Sequence, residues 1–195
     1  MKKATQAKRK VAWGITGCGD KLRETFDVMK EIKEEYSAEL HIEVFLSKAG
    51  EQVAKFYRLL DDLEQQFERV WIEKNSNSPF LAGRLQLGEF EFLLVAPASS
   101  NTVAKLSVGI SDTMLTNGAI QALKALVPVY VMPVDYREGT TVTKLPSGRD
   151  LTLRVRKEDV ENVKKLTAME GVFPFERPEE IPGIFAKSFR HKGAN

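Results

Sequence analysis

The sequence predicts an α/β protein: a doubly wound parallel sheet with a C-terminal β-hairpin and helix. Three observations predict it. Apolar runs of strand length alternate with stretches of helical periodicity between residues 11 and 134. The strand runs are continuously apolar rather than alternating, as strands covered on both faces of a parallel sheet must be. After residue 139 the pattern changes to two β-rich segments around a Pro-Ser-Gly turn, followed by one more helical stretch.

Each element can be justified in order. "VAWGIT" (11–16) reads as a buried strand, and "DKLRETFDVMKEIKEEY" (20–36) as a helix with Leu22, Phe26, Met29 and Ile32 or Lys33 on one face, a Rossmann-like strand-turn-helix unit. "HIEVFLS" (41–47) is a second strand, residues 49–67 are helical with a break, and "RVWIE" (69–73) is a weaker third strand. Residues 74–90 carry loop punctuation at both ends around a short helical pattern. "EFLLVA" (91–96) and "VPVYVMPV" (127–134) are further strands, separated by helical patterns at 101–109 and 113–126. "TTVTKL" and "DLTLRVR" flank "PSGR" as a hairpin, and "KEDVENVKKLTAM" is a last helix. The tail is apolar at Phe173, Phe175, Ile181, Ile184 and Phe185 but broken by Pro174, Pro178 and Pro182. It is expected to form no regular element and to wrap over its own core or a neighbouring subunit.

A chain of 195 residues with 43% hydrophobic content can bury a core, and one domain over 1–195 is expected, with 140–195 as an appendage. The net charge of +2 gives no general attraction to nucleic acid. The opening "MKKATQAKRK" holds five basic residues in ten and reads as a frayed, solvated terminus, so residues 1–10 are expected to be flexible. No secretory h-region and no stretch of membrane-span length are found, which predicts a soluble, cytoplasmic protein. The single cysteine, Cys18, excludes an internal disulfide and a single-chain Cys cluster, and His41 and His191 have no ligand spacing, so no metal site is expected. Any redox chemistry must then come from an organic cofactor or a partner.

In a doubly wound sheet, ligands sit outside the carboxyl ends of the strands where strand order reverses. With the usual order, strands 11–16 and 91–96 are neighbours there, and the loops behind them, "TGCGDK" and "PASSNT", wall one crevice. The first loop has Gly17 and Gly19, but Leu22 stands at the third position of a G-x-G-x-x-G dinucleotide fingerprint, and the second strand ends in Ser47 instead of an acidic ribose partner. A small-residue turn at a helix N-terminus remains, suited to one phosphate, with Thr16 and Ser47 as added hydroxyl donors. In the second loop Pro97 ends the strand and Ala98 permits close approach. Ser99, Ser100, Asn101 and Thr102 offer more hydrogen-bonding groups than one helix N-cap needs.

These residues carry a family resemblance. "APASSNTVAKLSVGISDTMLTNGAIQALKA", with "GITGCGD" and Ser47, resembles the FMN-binding flavoprotein superfamily of the P-A-S-A-N-T flavin-containing cysteine decarboxylases and the flavin prenyltransferases. "WGITGCGDKLRETFDVMKEI" and "TTVTKLPSGRDLTLRVRKEDVENVKKL" resemble most the archaeal-type members, the archaeoflavoprotein and dihydromethanopterin reductase group. The resemblance implies noncovalent FMN, with Thr16, Gly17, Cys18, Gly19 and Ser47 near its phosphate end and Ala98, Ser99, Ser100, Asn101 and Thr102 near the ribityl chain or ring. It also implies a trimer-based homo-oligomer. The chain departs from the decarboxylases: "SKAGEQVAKFY" lacks their catalytic histidine and "GISDTMLTN" lacks their P-x-M-N-x-x-M-W signature.

The expected function is that of an FMN redox protein taking electrons from ferredoxin or another iron-sulfur donor and passing them to a pterin or a protein. The alternatives are a flavin prenyltransferase, a flavin-dependent decarboxylase or a nonredox FMN carrier. Arg137, Lys144, Arg149, Arg154 and Arg156 make the hairpin region basic, which suits either an acidic ferredoxin or carboxylated pterin tail, or a solvated face of mixed charge.

Overall fold

The computed structural model describes residues 7–190. Six parallel strands form the central sheet: β1 (Arg9–Ile15), β2 (Leu40–Leu46), β3 (Arg69–Ile72), β4 (Leu93–Ala98), β5 (Val129–Pro133) and β8 (Val172–Pro174), in the order β3-β2-β1-β4-β5-β8. Strand order reverses between β1 and β4, so the two loops singled out in the sequence leave the sheet side by side. A separate antiparallel pair, β6 (Gly139–Lys144) and β7 (Asp150–Val155), is the expected hairpin.

Helices cover both faces. On one lie α1 (Leu22–Glu35), α2 (Lys48–Phe56), α3 (Leu60–Gln66) and α8 (Ile181–Arg190), packed on Val11, Trp13 and Ile15. On the other, α4 (Leu81–Gln86), α5 (Ser100–Ser107), α6 (Met114–Lys124) and α7 (Lys157–Thr167) pack on Ala12, Phe45 and Val95. The alternation along β1 sends Val11, Trp13 and Ile15 to one face and Ala12 and Gly14 to the other. Gly14 is required by packing, because a Cβ there would stand 2.7 Å from a methyl of Leu115 on α6. Trp13 fills the first layer, edge-on to Phe67 at 5.3 Å, and its indole N–H donates to the Ala96 carbonyl at 2.6 Å. The break in the long helical stretch falls at Arg58, which is left-handed at φ 57° and separates α2 from α3.

Three expectations are corrected. The tail is regular: β8 extends the sheet at its edge, a 3-10 turn spans Pro178–Glu180, and α8 follows. Its prolines sit where a missing N–H is tolerated, Pro174 at the end of an edge strand and Pro182 in the first helical turn. The tail covers its own core, burying Phe175, Ile181, Phe185 and Phe189. The basic start is not wholly frayed, since Arg9 and Lys10 belong to β1. Arg9 holds Glu91 at 2.9 Å, donates to the Ser188 carbonyl at 2.9 Å and lies 4.0 Å over the Phe189 ring. Residues 1–6 and His191 lie outside the described residues. Pro97 does not end its strand: β4 runs on to Ala98, with an irregularity against β5 between Val95 and Ala98.

Buried charge fixes the helices to the sheet. Glu43 on β2 is fully buried and accepts two hydrogen bonds from Arg84 at 2.8 and 2.7 Å and one from the Trp71 indole at 2.8 Å, tying α4 down. His41 stands beside it, with Nδ1 3.0 Å from Glu68 and Nε2 3.7 Å from Glu43. Among the described residues no helix is long and apolar enough to cross a membrane, and no group of three or more His, Cys, Asp or Glu side chains could hold a metal ion.

Candidate functional site

A crevice of about 330 Å³ opens at the carboxyl ends of β1, β4 and β5. Its floor is the Gly17-Cys18-Gly19-Asp20 turn, one wall is Ser99 and Ser100 with Val134 and Asp135, and Tyr57 closes one side. The hairpin supplies the opposite wall through Thr141, Thr143, Leu151 and Leu153. The register explains this choice, since Thr141 pairs Leu153 and Thr143 pairs Leu151, so all four share one face.

The two loops are bonded to each other beneath the crevice. The Thr16 hydroxyl donates to the Pro97 carbonyl at 2.8 Å and accepts from the Ser99 amide at 2.8 Å, while the Thr16 amide donates to the same carbonyl at 3.3 Å. Thr16 is buried, so its hydroxyl is a tie between strand ends and not the free anion donor that the sequence suggests. The Ser99 hydroxyl caps α5, accepting from the Thr102 amide at 3.4 Å, with the buried Thr102 hydroxyl 3.2 Å away. The Ser100 hydroxyl donates to Asp135 in a short hydrogen bond. Asn101 is exposed on the first turn of α5, and Ala98 is fully buried within β4.

Ser47 caps α2, accepting from the Gly50 amide at 2.9 Å. It does not line the crevice, but its helix lies directly under the Gly17 turn, where a Cβ on Gly17 would come within 2.5 Å of Ala49 Cβ. Glu73, buried just beyond β3, accepts from the Lys48 amide at 3.0 Å and from the Met114 amide at 2.8 Å. One carboxylate thus terminates α2 and α6 together, a charge placement that both helix dipoles favour.

Of the ten residues predicted, the structure brings Gly17, Cys18, Gly19, Ser99 and Ser100 to the crevice, and sets Thr16, Ser47, Ala98, Asn101 and Thr102 beneath or beside it. Sequence reasoning held Asp20 only as part of the first loop and missed Tyr57, Val134, Asp135 and the four hairpin residues. Asp135 had a signal, because it follows a strand end next to the reversal point. Tyr57 had none, being brought over Gly19 by the end of α2: a Cβ on Gly19 would meet its ring at 2.2 Å.

The electrostatics of the floor are set by burial. Burial pushes the Cys18 thiol up to about 12 against a weaker opposing hydrogen bond with Thr16, so the sulfur is a neutral thiol at physiological pH. Burial also raises the Asp20 carboxyl, Lys21 lowers it, and Glu24 and Asp135 raise it further. Asp20 Oδ2 is a buried oxygen with no hydrogen-bond partner. At the head of α1, Lys21 is left-handed at φ 58° and provides no side-chain cap, so first-turn amides remain for another acceptor. Of the hairpin cations, Arg137 pairs Glu176 at 2.7 Å and Arg156 pairs Asp159 at 2.6 Å. Lys144 and Arg154 lie on the face away from the crevice.

Relatives share this architecture. An uncharacterized protein of Methanocaldococcus jannaschii is 47% identical over 183 residues, covering 94% of this chain and 97% of that one. A dihydromethanopterin reductase (acceptor) of the same organism is 33% identical, covering 90% and 95%. The crystal structure of Burkholderia xenovorans DmrB in complex with FMN, described as a cubic protein cage for redox transfer, superposes with a TM-score of 0.81 at 30% identity over 95% of this chain and 97% of that one. The flavoprotein family model matches residues 1–179, and the chain belongs to that family.

Proposed function

We propose that the protein binds FMN in this crevice and works as a redox flavoprotein, taking electrons from ferredoxin or another iron-sulfur donor and delivering them to a pterin or a protein. The observation that carries the reading is the convergence of the Gly17–Gly19 turn, the Ser99–Ser100 helix start and the hairpin on one hollow of about 330 Å³, within the range of small-ligand sites.

The residues present fit the cofactor. Tyr57, Val134, Leu151 and Leu153 give apolar surface for a flat ring, while Ser99, Ser100, Thr141 and Thr143 give hydroxyls for a polyol. Uncapped amides at the head of α1 suit a phosphate, and Asp20 lines the same hollow with one carboxyl oxygen unpartnered. FMN there would supply one- and two-electron chemistry; the chain holds and orients it. Relatedness to a dihydromethanopterin reductase supports the pterin acceptor. A trimer-based homo-oligomer in the cytoplasm belongs to the same reading.

Anaerobic stopped-flow absorbance tests it. Reduced low-potential ferredoxin bleaches the bound flavin rapidly, and NADH or NADPH does so slowly, because no second nucleotide fingerprint is present. Fast reduction by a nicotinamide would overturn the donor assignment. Protein that converts FMN to a modified flavin with a prenyl phosphate, and is bleached by no donor, is a transferase.

A further inference from the structure

Asp20 is the chemically unassigned group of the crevice. It lies at the end of the Gly17-x-Gly19 turn, lines the hollow, and keeps one carboxyl oxygen out of water without any partner in the protein. A buried acceptor left unsatisfied costs on the order of 1–3 kcal/mol, and such groups persist where a ligand completes them. A protonated carboxyl lowers this cost, since a neutral group loses less on leaving water, and it carries an O–H that can donate to a base entering the hollow.

Resting on the flavin reading above, we propose that Asp20 is the proton donor to a carbon–nitrogen double bond seated in the crevice, the acceptor bond of a dihydropterin-type substrate. Reduced FMN held in the crevice would supply the hydride that adds to the carbon, losing two electrons. The Asp20 O–H bond breaks as the new N–H bond forms at the substrate nitrogen. The substrate gains one hydride and one proton, and the carboxylate left behind recovers its proton from solvent at the open side of the crevice.

The groups around Asp20 favour this role. Burial, Glu24 on α1 and Asp135 beyond β5 disfavour its anion, while Lys21 and its backbone amide oppose them. The Lys21 ammonium is turned away, donating to the Glu176 carbonyl at 3.0 Å. Cys18 is a neutral thiol and Tyr57 lines the same hollow, so neither brings a compensating positive charge. Asp135 is already engaged by the Ser100 hydroxyl, whereas Asp20 holds a buried oxygen with no partner.

The test compares wild type with Asp20→Asn and Asp20→Glu. Reoxidation of photoreduced, FMN-loaded protein by dihydropterin is followed in a single turnover, with FMN affinity measured alongside so that lost cofactor is not counted as lost proton transfer. Asp20→Asn slows reoxidation about 10²–10³-fold and abolishes the decline seen in wild type as pH rises, and Asp20→Glu restores part of the rate. In apoprotein, the carboxyl-carbon NMR titration of Asp20 lies above the usual aspartate position. An Asn variant that reoxidises at the wild-type rate with FMN bound would overturn the proposal while leaving the flavin reading intact, and so would an ordinary Asp20 titration. Wild type that takes up no FMN removes the reading and the inference with it.

Discussion

The Thr16 hydroxyl donates to the Pro97 carbonyl at 2.8 Å, one of three hydrogen bonds that tie together the two loops forming the crevice. The same oxygen accepts from the Ser99 amide, so the cap of α5 is positioned from β1. Thr16→Val keeps the shape and removes both bonds, leaving the half-buried Ser99 amide without its acceptor. It should lower stability by about 1–3 kcal/mol and weaken FMN binding, while Thr16→Ser retains both. Urea denaturation and flavin fluorescence titration measure the two effects separately.

Glu43 and Arg84 give the fold a defined response to acid. Burial raises the Glu43 carboxyl, but the hydrogen bonds from Arg84 and Trp71 and the Arg84 charge more than reverse this and hold it at about 2, against an ordinary 4.5. The folded value lies below the unfolded one, so the pair stabilises fully above 4.5 and the stabilisation is lost as pH falls toward 2. Arg84→Met leaves an uncompensated buried carboxylate and should cost on the order of 3–5 kcal/mol at neutral pH. Its deficit should shrink in acid, as thermal melts across pH will show.

The Ser47 corner depends on close packing of α2 against β1. A Cβ on Gly50 would meet the Ile15 carbonyl oxygen at 2.4 Å, and a backbone atom cannot step aside. Gly50→Ala should therefore destabilise by about 1–3 kcal/mol, as overpacking does. Ser47→Ala loses the cap on α2 for about 1 kcal/mol. Ser47 does not line the crevice, so on the FMN reading its effect on flavin affinity should be small and come through the Gly17 turn that rests on α2. Denaturation separates the packing defect from the binding defect.

Glu73 should prove intolerant of its own amide. Glu73→Gln places an NH2 donor against one of two backbone amides, at Lys48 or Met114, that now point at carboxylate oxygens. A loss of about 1–3 kcal/mol is expected, with hydrogen exchange speeding up in the first turns of both α2 and α6.

Cys18 should behave as an unreactive thiol although it lines the crevice. With its thiol held up at about 12 by burial, iodoacetamide should leave it unmodified in native protein at neutral pH and label it quickly in urea, as mass spectrometry can follow. Cys18→Ala should retain FMN.

The sequence by itself determined the layer architecture, because continuous apolar strands alternating with amphipathic helices have few other ways to bury their surfaces. It also pointed to the β1 and β4 loops, since ligand position in such a sheet follows from strand ends and chain reversal, and its "PASSNT" and "GITGCGD" stretches carried the family. Tertiary structure decided what each hydroxyl in those loops does. Thr16 and Ser99 are adjacent only after β1 and β4 pair, so nothing local distinguishes a hydroxyl facing ligand from one bonded to a carbonyl more than eighty residues away. The same holds for Tyr57, for the buried, unpartnered oxygen of Asp20 and for the Thr and Leu face of the hairpin. The tail was misjudged for the converse reason: its three prolines read as breaks, yet an edge strand and a helix start are the places where a missing N–H is harmless. Local pattern fixes which elements exist and which face they bury; which polar atoms remain free is set by long-range pairing.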